Sequence, residues 1–279
     1  MKIKNLDLKN RLILAPMVEV NDIAFRNLCK KAGAALTWTG MINPLSKQKL
    51  ELSDKPAIQL FSTSEKGIKE FIKKYEKKVS LFDFNLGCPA KTAKKLGFGI
   101  YMNHDLITIE KILKIMREAT TKPICVKLRK SKNTLKIIKI AKKYCDVIAI
   151  HPRTQDQGYS GEPDIDFALK VKSKTNLPVI YSGNVNEKNY KTLLKDFDFL
   201  MIGRAAIGNP NIFSRILGKK SNFTYSDWLS EAQKYVLPFR QYKFQAMWFT
   251  KGLEGAPRMR EKIAKAKTLK ELKEIWGIK

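Results

Sequence analysis

The stretch Phe82-Asp83-Phe84-Asn85-Leu86-Gly87-Cys88-Pro89 decides how the chain folds. With the residues just before it, the run 79–86 is apolar enough to be covered on both faces, as a parallel strand is. Gly87 and Pro89 break the run, so Cys88 falls just past the strand's C-terminal end. In a β/α barrel that end carries the chemistry. A cysteine at such a place reads in two ways. It is a small packing residue, the commonest fate of a free cysteine, or a reactive thiol at a loop mouth.

The same unit recurs on both sides of this stretch. Short apolar runs at 12–17, 35–39, 57–61, 79–86, 124–128, 147–150, 178–181 and 199–202 alternate with helical patterns. Asp22 is placed to cap a helix that ends at Gly33. A basic helix is expected over 64–78, and others through Ile109 and Met116, Leu135 and Ala141, 167–171 and 190–194. Pro210 is pre-shaped for the first turn of a last one. The segment between Gly40 and Pro56 is expected to hold a helix too, although Pro44 interrupts it. Apolar strands separated by helices pair in parallel with right-handed crossovers. Eight such units predict a TIM (β/α)8 barrel over 1–218, in the α/β class. Past Gly218 the alternation stops. Helical pieces at 226–236, 243–249 and 259–276, with turns at Gly252 and Gly255-Ala256-Pro257, predict a small all-helical domain over 219–279.

Hydrophobic residues make up 44% of the 279, which excludes a disordered chain. A net charge of +28 implies an anionic partner, nucleic acid first and an anionic membrane surface second. Most of the basic residues are lysines, point charges that suit phosphates better than base edges. Residues 219–279 hold fourteen Lys and Arg against six Asp and Glu, a net of +8. Phe244, Trp248 and Phe249 are interleaved among them, which fits an RNA surface or the core of the helical domain. No apolar run reaches the roughly 18–20 residues of a membrane span, and the N-terminus lacks a signal-like apolar region. Cys29, Cys88, Cys125 and Cys145 are widely spaced and form no CxxC. That argues against zinc or disulfides and fits a reducing cytoplasm, the expected location.

Gln59, Asn85, Cys88, Lys127, Arg129, His151, Arg153, Asn184 and Arg204 all fall at predicted strand ends, so a barrel would bring them to one mouth. The turns Ser182-Gly183-Asn184 and Gly203-Arg204 follow strands seven and eight, the usual phosphate site of this architecture. No Gly-Lys-Ser/Thr follows Gly203, so this is no nucleotide P-loop, and no dinucleotide fingerprint follows the first strand. No carboxylate pair or His-rich cluster suggests a metal, and a phosphate-bearing organic cofactor is expected instead. Lys127 would point into a barrel of apolar strands, where an amine needs a partner such as a cofactor oxygen or ring nitrogen.

These blocks together resemble the tRNA-dihydrouridine synthase family. They are Ala15-Pro16-Met17 with Asp22 and Phe25-Arg26, Gln59-Leu60-Phe61, Asp83 to Pro89, Val126-Lys127-Leu128-Arg129, Ile150-His151-Pro152-Arg153-Thr154 and Met201-Ile202-Gly203-Arg204-Ala205. The resemblance covers the barrel in order and, less distinctly, the tail through Trp248-Phe249-Thr250-Lys251-Gly252. It implies a barrel holding FMN, with NADPH (or NADH) recharging the flavin, and a helical domain that grips tRNA. It implies reduction of the C5–C6 double bond of specific uridines, with hydride from FMN to C6 and Cys88 protonating C5. An ordinary thiol is a weak enough acid to be protonated at neutral pH and still give up its proton to a developing enolate. Pro16, Met17, Gln59, Lys127, His151, Ser182, Gly183, Asn184, Gly203 and Arg204 would bind FMN. Asn85, Arg129, Arg153, Lys243, Lys251 and Arg260 would bind the tRNA substrate, Asn85 at the uracil edge. The family's Asn-Gly-Asp/Glu after strand seven is Ser182-Gly183-Asn184 here. A monomer is expected. Two other readings are a flavin barrel acting on a small free pyrimidine or enone, and a non-catalytic tRNA-binding or chaperone protein on a retained barrel.

Overall fold

The computed structural model describes residues 1–278. Eight strands form a closed parallel barrel: β3 (Leu12–Leu14), β4 (Leu36–Ile42), β5 (Ala57–Leu60), β6 (Leu81–Leu86), β7 (Ile124–Arg129), β8 (Val147–His151), β9 (Val179–Ser182) and β10 (Phe199–Ile202). β10 pairs back onto β3, with Ile202 opposite Leu14. The expected (β/α)8 barrel is the observed architecture. Side chains alternate across each strand. Ile13, Trp38, Leu81, Cys125, Val147, Ala149, Ile180 and Met201 pack inside, while Leu12, Leu14, Phe82, Phe84 and Val126 face the surrounding helices. A two-stranded antiparallel hairpin, β1 (Lys2–Ile3) and β2 (Leu6–Asp7), precedes the barrel. Its Ile3, with the adjacent Leu8, joins the interior cluster.

The outer helices are α1 (Ile23–Lys31), α2 (Ile68–Tyr75), α3 (Lys91–Leu96), α4 (Leu106–Ala119), α5 (Thr134–Tyr144), α6 (Ile165–Ser173), α7 (Tyr190–Asp196) and α8 (Ile212–Ile216). Asp22 caps α1 as its position predicts, its side chain accepting from the Phe25 N–H at 2.9 Å. Two differences from expectation affect the site. The helix expected between Gly40 and Pro56 is absent; residues 43–56 run as turns and irregular chain. This segment instead supplies the Asp54 carboxylate and Glu51 carbonyl that hold the buried Arg26, with Asp54 bidentate at 2.9 and 2.7 Å. The second difference is α3 and a 3-10 turn, Gly99–Met102, inserted between β6 and α4. They fold the chain back over the end of β6.

Beyond the barrel lie α9 (Tyr225–Ala232), α10 (Phe239–Phe249), α11 (Ala256–Lys265) and α12 (Leu269–Ile275). The single helix expected over 259–276 is two: Ala266 leaves helical geometry after Lys265, and Thr268 caps the next helix, accepting from the Glu271 N–H. Phe249 is core, edge-on to Phe25 of α1 with ring centroids 6.5 Å apart. Phe244 and Trp248 are half-buried and stacked on each other at 5.5 Å. Asp22 ties this tail to the barrel, accepting from Trp228 Nε1 at 3.1 Å, Gln241 Nε2 at 2.8 Å and Gln245 Nε2 at 2.6 Å. Gly208, at φ +63°, lies so close to α10 that an added Cβ would sit 2.0 Å from the Trp248 carbonyl oxygen. No helix among the described residues is long and apolar enough to cross a membrane.

Candidate active site at the barrel mouth

The register of the barrel sets the order of groups along its axis. Gln59 lies opposite Asp83, Asp83 opposite Cys125, and Asn85 opposite Lys127. All five face inward with Trp38, so the lower interior is apolar and its upper half polar. Asp83 is fully buried, and one of its oxygens accepts from both Trp38 Nε1 at 2.9 Å and Gln59 Nε2 at 2.7 Å. Gln59 Oε1 accepts from Asn85 Nδ2 at 2.8 Å. Asn85 Oδ1 in turn accepts from the Cys88 N–H at 3.0 Å and the Gly87 N–H at 3.2 Å. A carboxylate only accepts, so Asp83 fixes which end of the Gln59 amide points down and, through it, the Asn85 amide. The relay therefore runs from the barrel core to the backbone of the cysteine loop. Burial pushes the Asp83 carboxyl up to about 6, against the lowering effect of Gln59 and Trp38.

Cys88 is half-buried, whereas Cys29, Cys125 and Cys145 are buried and their thiols pushed up by burial. Its loop is clamped from the other side by the 3-10 turn. Ile100 N–H donates to the Cys88 carbonyl at 3.3 Å, and Tyr101 Oη to the Pro89 carbonyl at 3.0 Å. Gly99, at φ +67°, is packed against Cys88: an added Cβ would lie 2.7 Å from its carbonyl oxygen and 3.0 Å from its Cβ.

Beside Asn85, on the neighbouring strand β7, Lys127 makes no hydrogen bond or ion pair with any described residue. The residue as a whole is half-buried. Burial, and then the Arg129 charge, lower its pKa. His151 is 8% exposed, and burial with the surrounding cations pushes it down to about 2, so it is neutral. Its Nε2 lies 2.9 Å from Arg153 Nη1. Guanidinium only donates, which makes Nε2 the acceptor and puts the ring proton on Nδ1.

Arg129 and Arg153 are each 1% exposed and bound to backbone. Arg129 donates to the carbonyls of Gly87 (3.0 Å), Thr154 (3.0 Å) and Gly158 (2.6 Å). Arg153 donates to those of Ser160 (3.1 Å) and Gly161 (2.7 Å). Together they draw the 154–161 loop across the mouth and leave no guanidinium face open. Tyr159, on that loop, is 57% exposed, and its ring lies 5.5 Å from the Arg129 guanidinium and 5.4 Å from that of Arg204.

The turns after β9 and β10 meet here as well. Arg204 donates to Asn184 Oδ1 at 2.7 Å and to the Tyr159 carbonyl at 3.1 Å. Ser182 and Gly183 are buried beneath them. A Cβ on Gly203 would stand 3.5 Å from Ala15 Cβ and 3.9 Å from Met17 Sδ, so Pro16 and Met17 lie on the same rim. Lys251 donates to the Arg204 carbonyl at 3.4 Å and joins the tail to the mouth. Lys243 is tied inside the tail to the Ala264 carbonyl, and Arg260 is exposed on α11. Sequence reasoning overlooked Asp83, Trp38, Gly99 and Tyr159. A carboxylate inside an apolar strand was the available signal for Asp83, since a buried charge demands partners. Among the described residues no group of His, Cys, Asp and Glu is arranged to hold a metal ion.

Among solved structures, morphinone reductase in complex with tetrahydroNAD aligns with a TM-score of 0.57 at 11% identity, covering 87% of this chain and 94% of its own. A variant of NCR from Zymomonas mobilis aligns at 0.59 and 10%, covering 87% and 96%. At such identities the likeness is one of fold alone. Sequence relatives are closer. tRNA-dihydrouridine synthase B of Vibrio parahaemolyticus is 33% identical, covering 82% of this chain and 78% of its own length. That of Pasteurella multocida is 28% identical over 94% of this chain and 90% of its own. Residues 13–276 match the family described as dihydrouridine synthase (Dus), from the first barrel strand to the last helix of the tail. The chain belongs to the dihydrouridine synthase family.

Proposed function

We propose that this chain is an FMN-dependent tRNA-dihydrouridine synthase, reducing the C5–C6 double bond of specific uridines in tRNA with NADPH as reductant. The observation that carries the reading is Cys88, accessible at the barrel mouth and held from one side by Asn85 and from the other by Gly99. The groups at the mouth would suit a flavin phosphate and ring. Lys127 offers an amine with no described protein partner, Arg204 is exposed, and Gly203 keeps the strand ends open beside Met17. Pro16, Met17, Gln59, Lys127, His151, Ser182, Gly183, Asn184, Gly203 and Arg204 would hold the cofactor, and barrel strands seven and eight are where such folds place phosphate. Bound FMN supplies the reducing equivalents for the pyrimidine ring.

The chain's own groups do the rest. The Cys88 thiol gives its proton to C5 as the double bond is reduced, a general-acid role. Asn85 has one Nδ2 proton not used by Gln59, and this proton is left for a uracil oxygen. Neutral His151 offers Nδ1–H as a fixed donor. Arg129 and Arg153 act on the substrate through the loop they hold. Lys251 stands where tail and mouth meet, and Lys243 and Arg260 extend the basic surface for tRNA. Division of labour follows the chain: 1–218 catalyses and 219–279 binds tRNA.

The test is dihydrouridine formed on an unmodified tRNA transcript with FMN and NADPH, measured by digestion and mass spectrometry. The expected outcome is product with the natural sequence and a loss on the order of 10²-fold or more with Cys88→Ala. Full activity of Cys88→Ala would remove the proton-donor role. Equal reduction of free uridine, insensitive to salt, would replace tRNA by a small pyrimidine as substrate.

A further inference from the structure

We propose that a cleft on the rim, beside the mouth, is a second nucleotide site that holds a neighbouring nucleotide of the RNA chain. This rests on the reading of the mouth as the place where an RNA uridine reacts. The cleft has a volume of about 370 Å³ and is lined by Lys130, Lys132, Leu135, Thr154, Phe167 and Lys170. That size lies at the lower end of the range for small-ligand sites, enough for one nucleotide unit. It begins one residue past Arg129 at the end of β7, and its far wall, Thr154, follows β8. Its walls are bonded to the mouth: Lys130 N–H donates to the Arg153 carbonyl at 3.1 Å, and Arg129 to the Thr154 carbonyl at 3.0 Å.

The charges in the cleft divide into two kinds. Lys130 is paired with Asp164 and lies 5.3 Å over the Phe167 ring, so its charge is already matched. Lys132 and Lys170 are exposed and form no ion pair with any described residue. Thr154 Oγ1 accepts from the Gln157 N–H and keeps its own proton for a ligand oxygen. Leu135 and Phe167, both half-buried, give the cleft an apolar floor. Two unpaired ammonium groups above an apolar floor suit a phosphate attached to a ribose and base. A phosphorylated ribose occurs both in RNA and in NADPH. The position on the rim of the site where the uridine must enter, on a chain of net charge +28, favours RNA.

The test compares the natural protein with Lys132→Ala/Lys170→Ala, using an unmodified tRNA transcript as probe. Binding is measured without turnover between about 50 and 200 mM salt, and KM for transcript and for NADPH are measured separately. Lys191→Ala/Lys195→Ala on α7 removes two exposed lysines elsewhere and controls for overall charge. The cleft variant is expected to reduce the salt slope by about 2 and to weaken transcript binding roughly 10-fold. KM for transcript should rise with it while KM for NADPH stays unchanged. An unchanged slope and affinity would overturn the proposal, as would an equal loss in the α7 control. A raised KM for NADPH with transcript binding intact would assign the cleft to the nicotinamide substrate and overturn it too. Transcript binding that shows the expected loss in a protein forming no dihydrouridine would sink the proposed activity and leave this site standing.

Discussion

The barrel interior and the seam between barrel and tail each hold a carboxylate among uncharged donors, and the two are held differently. Asp22 at the seam uses both oxygens, accepting from the Phe25 N–H and from Trp228, Gln241 and Gln245. Asp83 in the barrel uses one oxygen for two donors, and its other oxygen has no partner among the described residues. Burial raises the pKa of both. A saturated carboxylate acts as a bolt: beside the local cap of α1, three of its bonds cross from the tail to the barrel. A half-used one acts as a pointer, since its bonds orient the amides that lead to Cys88. Stability should therefore depend most on Asp22 and chemistry most on Asp83.

The largest expected effect breaks the bolt. Asp22→Ala removes the α1 cap, worth about 1 kcal/mol. It also takes the acceptor from Trp228 Nε1 and from one proton each of Gln241 and Gln245 Nε2, which keep the Glu19 and Val20 carbonyls, at about 1–3 kcal/mol per proton before water relieves them. A loss of roughly 3–5 kcal/mol is expected in urea unfolding. Gly208 offers a second way to part the seam, since any side chain there would meet the Trp248 backbone.

Next comes a pH effect specific to the pointer. Asp83 titrates near 6 in the folded protein against about 4 when unfolded, so the folded state binds more protons between these values. Its contribution to stability is fully present below about pH 4 and is lost as pH rises through about 6. Asp83→Asn removes that dependence. The stability of the Asn variant relative to the natural protein should improve by about 2 kcal/mol between pH 4 and pH 7. Urea midpoints at the two pH values give the comparison, and an unchanged difference would show that the carboxyl is not raised. His151, held near 2, has the opposite sign, contributing stability lost as pH falls below its unfolded value near 6.5. The variant-minus-natural difference cancels it.

The same residue separates pointing from packing. Asp83→Leu cannot hold Gln59, so the Gln59 and Asn85 amides lose their fixed sense and the Cys88 loop its inner clamp. Dihydrouridine formation should fall on the order of 10²-fold, the cost of misplacing a reacting group by about 1 Å. Asp83→Asn keeps an acceptor for both donors and should stay within a few-fold. If Leu and Asn lose activity equally while flavin binding survives, the relay is not what positions Cys88.

The eight strands, the α1 cap and the tail helices were legible because apolar periodicity and caps are local signals. The relay was not, because Trp38, Gln59, Asp83 and Asn85 come from three strands and meet only through the parallel register. Gln59 and Asn85 were recognised as mouth residues, but the direction of their amides depends on Asp83 below them. Arg129 and Arg153 illustrate the opposite problem. Their positions at strand ends were readable, yet nothing local shows that the carbonyls of 154–161 return to cover them. The helix expected between Gly40 and Pro56 yielded to a tertiary demand, the need of buried Arg26 for Asp54 and Glu51.

Gly99 gives the smallest effect and the sharpest contrast between the two clamps on Cys88. In sequence it is one of 15 glycines with no pattern to mark it. In the fold its φ of +67° already disfavours a side chain, at about 1–2 kcal/mol. An alanine Cβ would also press on the Cys88 carbonyl oxygen, 2.7 Å away, and this neighbour is backbone that cannot rotate aside. The strain can be relieved by moving the 3-10 turn outward or the cysteine loop inward. Asn85 holds the loop from within, so the turn should yield first and the loop follow by a fraction of an ångström. Gly99→Ala is therefore expected to cost about 1–2 kcal/mol of stability and to slow dihydrouridine formation several-fold, leaving flavin reduction unchanged. Combined with Asp83→Leu, which frees the inner clamp, the alanine should cost less stability than it does alone, because the loop can then retreat. Strict additivity of the two would mean that the clamps do not act on the same loop.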